Sequence, residues 1–402
     1  MLGDFMYCSP VRVYFGRKCM RRLSRELAPY KSVLLIYGTG SIKKNGIYDQ
    51  IREILDLSGC RVREFAGVRP NPDRDCLYRA VSAAREFHPD LILAAGGGSV
   101  CDLAKAVSVS IYCREDPWQR YYLQMKKPDC PVVPVGCIPT TAGTGSEMNG
   151  CAVISDPERQ LKIGHVFGDD VYPRFALINP AYTLTLNRQQ TACGIFDIMT
   201  HLCEQYFSGK DDCATDYMIE GLMRSLINSS RAVMADPSDY EARSNIMWIS
   251  SIALSTLLSK GKKTDWMLHM VAQAVGACTD AAHGSTLSAL AMPYYRFIYS
   301  AGIGRFVRFA VNVWGIRTDQ VIYPGADLYE GNEKMPDAEE LARRGLDCME
   351  QWMKELGLVM SLSQLGVTED MYPDILRGIK ITKGGYRRLT KDDVIRLLKA
   401  AD

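Results

Sequence analysis

The sequence predicts an α/β domain followed by an all-α domain, because the hydrophobic pattern changes along the chain. In the first half, short β-branched runs alternate with helical stretches, which is typical of a parallel sheet wrapped by helices. From about Leu186, apolar residues recur at intervals of three and four instead, which is typical of helices. We therefore expect a domain with a Rossmann-like parallel sheet over residues 1–186 and a helical domain over residues 187–402.

Five strands are predicted in the first domain, each from an apolar run and the turn residues around it. They cover Val33–Tyr37, Cys60–Phe65, Asp90–Ala95, Pro131–Val135 and Phe175–Ile178. One helix is expected through about Ser58 and another ending near His88. Residues 153–158 indicate the start of a hairpin turn, and residues 12–15 are treated as an edge strand.

Eight helices are predicted in the second domain from the spacing of apolar residues. They cover Gln189–Phe207, Thr215–Ala235, Asp239–Ser259, Trp266–Val275, Thr286–Tyr299, Ile303–Trp314, Ala338–Leu356 and Lys391–Ala401. The polar residues 323–336 are predicted to form a surface loop.

The composition excludes several classes of partner. The 402 residues include 48 Lys and Arg against 46 Asp and Glu, and no long run of one charge sign, so nucleic acid is not expected as a partner. Apolar runs are far shorter than the roughly 20 residues that span a bilayer, so no membrane association is expected. No export signal is visible and the 14 cysteines form no CxxC pair, so we expect reduced thiols and a cytoplasmic protein.

Three loops that follow predicted strands are rich in glycine and hydroxyl side chains. The first contains Gly38, Thr39, Gly40 and Ser41, the second contains Gly97, Gly98 and Ser99, and the third spans residues 139–147. A single glycine after a strand is commonly just a turn, and none of these loops has the full GxGxxG pattern. Because the carboxyl ends of parallel strands meet in one crevice, the three loops together favour a nucleotide site.

The first loop also bears on the choice of nucleotide. A carboxylate there would hydrogen-bond the ribose 2′-hydroxyl of NAD and repel the 2′-phosphate of NADP, and none is present. Lys43 and Lys44 follow closely, which suits a phosphate. Judged alone, two solvated lysines at the start of a helix explain this loop equally well.

One carboxylate and three histidines in the helical half form a candidate metal set. Asp197 stands four residues before His201, so both side chains project from one face of the predicted helix. His269 and His283 follow, fourteen residues apart. A lone helical histidine is more often structural than a ligand, but the four together suit iron, zinc, manganese or nickel better than calcium or magnesium.

These motifs match one family in order and spacing over the whole chain. They are Gly97-Gly98-Ser99 with Asp102 and Lys105, residues 139–147, Asp197 with His201, His269, and Ala282-His283-Gly284. The chain resembles the iron-dependent (group III) alcohol dehydrogenases. Residues 40–46, 205–208 and 310–316 are similar to the NADPH-dependent butanol dehydrogenase branch of that family.

The resemblance implies a dinucleotide-binding domain, a helical metal-binding and catalytic domain, and a cleft between them that holds the cofactor and the metal. The metal ligands, which would also be the catalytic residues, would be Asp197, His201, His269 and His283. The implied cofactor contacts are Gly97, Gly98 and Ser99 for the pyrophosphate, Asp102 and Lys162 near the nicotinamide ribose, Thr140, Thr141 and Thr144 along the cleft, and Asn71 by the adenine. Thr39 falls where relatives that prefer NAD tend to carry aspartate.

One position departs from the family pattern. Many relatives carry a second histidine four residues after the third metal ligand, and this chain has Gln273 there. Glutamine does not titrate near neutral pH, so a proton relay at this position is in doubt.

The sequence thus predicts an NADP(H)-dependent alcohol dehydrogenase or aldehyde reductase with one divalent metal per chain. Fe²⁺ is favoured, with Zn²⁺, Mn²⁺ or Ni²⁺ as alternatives. We expect a small primary alcohol or aldehyde as substrate, such as butanol or butyraldehyde, and a homodimer. The alternatives are a dehydroquinate synthase, for which basic residues in the metal domain are too few, a polyol dehydrogenase of the glycerol type, and a catalytically silent cofactor-binding protein.

Overall fold

The computed structural model describes residues 3–209, 214–316 and 338–402, so the predicted loop at 323–336 lies outside the described residues. The chain forms two compact units. An α/β unit comprises Cys8–Asn187 and Ser238–Ser255, and a helical unit comprises Met1–Tyr7, Arg188–Pro237 and Thr256–Asp402. The predicted domain division at residue 186 stays a prediction. Residues 238–255 belong to the α/β unit, although fifty residues of the helical unit separate them from Asn187 in the sequence.

The α/β unit contains eight strands. They are β1 (Arg12–Phe15), β2 (Ser32–Gly38), β3 (Arg61–Val68), β4 (Leu91–Gly96), β5 (Val135–Pro139), β6 (Cys151–Asp156), β7 (Leu161–Val166) and β8 (Phe175–Ile178). Six of them form one parallel sheet in the order β1-β8-β5-β4-β2-β3, and β6 and β7 form an antiparallel hairpin. The predicted fold class is therefore confirmed.

Alternate residues of the central strands enter two separate cores, which explains why these strands are apolar at nearly every position. On one face, Leu34 and Ile92 pack in a cluster with residues of two helices. On the other, Val33 and Leu91 pack in a second cluster with residues of two different helices. Helices α4 (Arg74–Phe87) and α5 (Gly98–Ser110) cover the first face, and α1 (Leu23–Leu27) and α3 (Ile47–Leu57) cover the second.

The strand order places the nucleotide-type loops beside one another. Strand β3 lies on one side of β2 in the sheet, and the chain then returns to form β4 on the other side of β2. In open α/β sheets, ligands bind outside the carboxyl ends of the strands at such a reversal. The loops after β2, β4 and β5 therefore share one edge of the sheet, since these strands are neighbours.

The remaining helices are α2 (Ser41–Lys44), α6 (Arg188–Tyr206), α7 (Ala214–Ala235), α8 (Tyr240–Ala253), α9 (Met267–Thr279), α10 (His283–Ile298), α11 (Ile303–Asn312), α12 (Ala338–Leu356), α13 (Tyr372–Gly378) and α14 (Lys391–Ala400). Within the helical unit, α10 packs against α6, α9, α12 and α14. Helix α12 lies where it was predicted. The described residues include no helix that is long and apolar enough to cross a membrane.

Among the predicted elements that differ in extent, two differ most. The strand expected at Pro131–Val135 lies instead at Val135–Pro139 and pairs with β4 from Ile92 onward. Two prolines in residues 131–134 lack the N–H groups that a ladder needs, which displaces the strand toward the carboxyl side. The helix expected through Ser259 ends at Ala253, and Thr256 just beyond has a left-handed backbone with φ 66°.

Candidate metal centre and cofactor-binding loops

Three helices supply the four residues of the predicted metal set. Asp197 and His201 lie one turn apart on α6, His269 lies in the first turn of α9, and His283 is the first residue of α10. Asp197, His201 and His269 are buried, and His283 is half-buried. The helical packing thus brings together residues that are 86 positions apart at the extremes.

The three imidazoles converge on one carboxylate oxygen. The distances from Asp197 Oδ1 to the Nε2 atoms of His201, His269 and His283 are 3.5, 3.6 and 3.8 Å. The ligand atoms of Asp197, His269 and His283 all lie within 4.8 Å of one another. The His201 and His269 rings stack with their centroids 4.7 Å apart.

The electrostatics of this cluster suit a cation. Burial alone raises the pKa of Asp197, but the surrounding imidazoles outweigh it and hold that pKa well below its usual range. Asp197 Oδ1 and His269 Nε2 are buried and have no hydrogen-bond partner in the described part of the chain. Buried polar atoms are normally satisfied, so this donor set fits a divalent metal ion.

Glu204 is a further candidate site residue, which the sequence analysis did not include. It is buried on α6, its carboxylate meets His269 Nδ1, and its Oε1 accepts the His269 backbone N–H at 3.2 Å. Burial lowers the pKa of His269, but Glu204 and Asp197 together raise it to about 9. Occupying Nδ1 leaves Nε2 as the atom available for coordination. The spacing in the sequence indicates this placement, because Asp197, His201 and Glu204 occupy positions i, i+4 and i+7 of one helix face.

The loop after β4 forms the amino terminus of α5. Gly97 is the N-cap of that helix, and Thr140 at the end of β5 donates its N–H to Gly96 at 3.0 Å. A side chain on either glycine would meet the third loop: a Cβ on Gly97 would lie 3.0 Å from Thr141 Oγ1, and one on Gly98 would lie 2.5 Å from Thr144 Cγ2. The structure thus places Gly97, Gly98, Ser99, Thr140, Thr141 and Thr144 at one helix amino terminus, where backbone N–H groups favour anions.

Helix α8, from the helical half of the sequence, supports the third loop. Ser250 Oγ accepts the Gly143 N–H at 2.9 Å, and Ser251 Oγ donates to Glu147 at 2.6 Å. The buried Lys105 of α5 also supports the loop, since it donates to the carbonyls of Ser146 and Asn149. These contacts hold a loop that has no regular secondary structure of its own over most of its length.

Asp102 and Lys162 are both engaged with neighbouring residues. The Asp102 carboxylate accepts from Ser146 Oγ and from the Val153 N–H, and burial raises its pKa. Lys162 on β7 donates to Asn71 Oδ1 at 2.7 Å. Their contacts with a nicotinamide ribose and with an adenine stay predictions.

The loop after β2 contains the remaining predicted cofactor residues. Gly38 ends the strand, Thr39 is exposed, Gly40 has φ 120° and Ser41 begins α2. The sequence reasoning missed Glu64 on the adjacent strand β3, whose oxygens accept from the hydroxyls of Tyr37 and Tyr48 at 2.7 Å each. Although burial raises the pKa of Glu64, these hydrogen bonds lower it overall.

Gln273 lies on α9 one turn after His269 and is half-buried. The i,i+4 spacing therefore places both residues on the same side of the helix.

Comparisons with known proteins identify relatives of the whole chain. Residues 10–180 match the iron-containing alcohol dehydrogenase family, and residues 191–402 match the C-terminal part of the Fe-containing alcohol dehydrogenase family. NADH-dependent butanol dehydrogenase A of Clostridium acetobutylicum is 35% identical over 98% of this chain and 99% of its own length. The NADPH-dependent aldehyde reductase YqhD of Escherichia coli is 31% identical over 98% of this chain and 97% of its own.

A solved structure shows the same fold. The crystal structure of NADH-dependent butanol dehydrogenase A from Thermotoga maritima superimposes with a TM-score of 0.91 at 29% identity, covering 100% of this chain and 99% of that one. Membership of the family that these matches identify implies a divalent metal and a nicotinamide cofactor, with an oxidoreductase activity on alcohols or aldehydes. The chain belongs to the iron-containing alcohol dehydrogenase family.

Proposed function

We propose that the chain is an NADP(H)-dependent alcohol dehydrogenase or aldehyde reductase that acts on small primary alcohols and aldehydes such as butanol and butyraldehyde. The observation that carries the proposal is the convergence of three imidazole Nε2 atoms on Asp197 Oδ1 within 3.8 Å. Relatives named as butanol dehydrogenases and as an aldehyde reductase support the substrate class.

Asp197, His201, His269 and His283 would hold one divalent metal ion, with Fe²⁺ favoured over Zn²⁺, Mn²⁺ or Ni²⁺. When bound, the nicotinamide would supply hydride chemistry and the metal would supply Lewis acidity toward the carbonyl oxygen. Asp197 contributes one negative charge against three neutral ligands, so a divalent site keeps net positive charge. Glu204 fixes the His269 ring, so that ligand is oriented before binding.

The preference for NADP(H) rests on the loop after β2. Residues 38–41 include no carboxylate, and both Glu64 oxygens accept from tyrosine hydroxyls. Lys43 lies 4.5 Å from the centre of the Tyr48 ring, close to this loop. The named relatives divide between the two nicotinamides, so the loop of this chain has to be tested directly.

A homodimer in the cytoplasm completes the proposal. Strand β1 is an edge strand, and edge strands are available to pair with a second chain. Phe15 on β1 and Trp248 on α8 are both exposed, and their rings contact each other with centroids 5.6 Å apart. The thirteen cysteines among the described residues are all free thiols, which is compatible with a reducing compartment.

The test is aldehyde reduction by protein purified without chelator, with its metal content measured. We expect one divalent metal per chain and a higher kcat/KM with NADPH than with NADH for butyraldehyde. A polyol dehydrogenase would instead favour glycerol or glyceraldehyde over butanol or butyraldehyde.

The silent-protein alternative is motivated by Gln273, and the same assay separates it. Loss of a general acid costs roughly 10²–10⁴-fold without abolishing a metal-assisted reaction, so the wild type should still turn over. A wild type that binds metal and NADPH but reduces no aldehyde, with activity appearing only in Gln273→His, would favour the silent protein.

A further inference from the structure

Trp266 has a backbone conformation that its residue type disfavours. It precedes α9 with φ 67° and ψ 9°, in the left-handed region that suits glycine. Such outliers persist only where surrounding contacts hold them, and they concentrate at functional sites. A tryptophan at this position therefore indicates that its indole makes a contact that glycine could not make.

The surroundings of Trp266 hold it firmly. Its indole Nε1 donates to Thr264 Oγ1 at 2.7 Å. Two of the first three amides of α9 are capped by carboxylates, since Asp265 Oδ1 accepts the Met267 N–H at 3.3 Å and Glu204 Oε1 accepts the His269 N–H at 3.2 Å. These hydrogen bonds restrain both the indole and the start of α9.

The indole lies beside two of the residues to which we assign the metal. Its ring centroid is 5.4 Å from that of His269, in an edge-to-face arrangement, and 6.1 Å from that of His201. The residue is only half-buried, so part of its surface stays exposed. A hydrocarbon chain gains more free energy from packing on such a surface than a polyol does, because hydroxyl groups lose hydration there.

We propose that Trp266 is a specificity-determining residue: its indole is the apolar wall on which the alkyl chain of an unbranched aldehyde or alcohol packs. The inference deepens the proposed function, on which it rests, by naming the substrate class as medium-length apolar aldehydes rather than polyols. The strained backbone is retained because it aims this ring at His201 and His269.

The test compares a ring-free variant with a ring-retaining one. Trp266→Gly removes the indole and places at φ 67° the residue that best tolerates it, so the fold is preserved; Trp266→Phe keeps a smaller ring. For each we would measure metal content and the kcat/KM values for acetaldehyde and hexanal, with Tyr112→Phe, at an exposed tyrosine of the α/β unit, as the control.

In the wild type and the control, hexanal should be the better substrate. In Trp266→Gly, the ratio of kcat/KM for hexanal to that for acetaldehyde should fall about tenfold, the scale on which apolar pockets discriminate substrates, with an intermediate fall in Trp266→Phe. An unchanged ratio in a metal-loaded Trp266→Gly protein overturns the proposal.

A second readout does not require turnover. Binding of 1-hexanol to the Zn²⁺-loaded protein, followed by calorimetry, should weaken about tenfold in Trp266→Gly and remain unchanged in Tyr112→Phe. If the wild type reduces no aldehyde, the proposed function fails, and the hexanol affinities still decide the role of Trp266. Equal hexanol affinity in wild type and Trp266→Gly then overturns it.

Discussion

The candidate cofactor loops and the candidate metal cluster are built from different kinds of contact. In the α/β unit, the candidate site consists of backbone and small side chains at the ends of neighbouring strands, so its residues follow the strand order. In the helical unit, three imidazoles from three helices meet at one carboxylate oxygen, that of Asp197. The loops depend on the absence of side chains at their glycines, whereas the cluster depends on the carboxylate and imidazole groups that its residues supply. The two sites should therefore respond differently to substitution.

The largest effect is expected from removing a metal ligand. His283→Ala should lower metal content per chain and reduce kcat by roughly 10³-fold, because Lewis-acid stabilisation is worth several kcal/mol. His88→Asn, at an exposed histidine that caps α4 with φ 54°, is the control, since asparagine tolerates that conformation. Full metal content and activity in His283→Ala would show that the cluster is not the metal site.

A smaller effect is expected from the residue that orients a ligand. Glu204→Gln keeps the shape of the side chain but removes the charge at His269 Nδ1, so metal affinity should fall about 10- to 100-fold. The control is Glu220→Gln, another buried glutamate of the helical unit, which contacts Tyr206 and Asn312 instead. If both variants bind metal equally well by titration with a chelating indicator, Glu204 has only a structural role.

In the loop region the corresponding experiment adds an atom. Gly98→Ala would bring a Cβ to 2.5 Å from Thr144 Cγ2, and relieving that overlap must displace the loop after β5. We expect cofactor affinity to weaken about tenfold, with metal content unchanged. Gly221→Ala, where a Cβ would meet nothing within 4 Å, is the control. Undiminished NADPH affinity, measured by fluorescence titration, would separate this loop from the cofactor.

The smallest effect concerns an exposed position in the same region. Thr39→Asp introduces a carboxylate where a 2′-phosphate is expected, and the resulting repulsion should shift the ratio of kcat/KM values from NADPH toward NADH by roughly fivefold, as exposed charge pairs are worth at most about 1 kcal/mol. Thr39→Asn, which is isosteric and uncharged, controls for shape. A wild type that already prefers NADH would contradict the proposed cofactor choice.

The two regions also differ in how far pattern alone predicted them. The strands β2 and β4 were located almost to the residue, because buried parallel strands are continuous apolar runs ended by glycine. Strand β5 was misplaced because the adjacent Pro131 and Pro134 look apolar but cannot donate to a ladder. The short helix α13 was missed, since seven residues give too few turns to establish a periodicity.

The amino-acid sequence by itself determined the local order of this protein: the strand and helix types, the glycine-rich turns, and the i,i+4 pairing of Asp197 with His201. These follow from side-chain spacing and backbone preference, which act over a few residues. Only the tertiary structure decided which distant residues meet. The contact of Glu204 with His269, the support of residues 143–147 by α8 and the aim of Trp266 at two imidazoles all depend on helix packing. That packing is set by the summed burial of many side chains, so no local pattern records it.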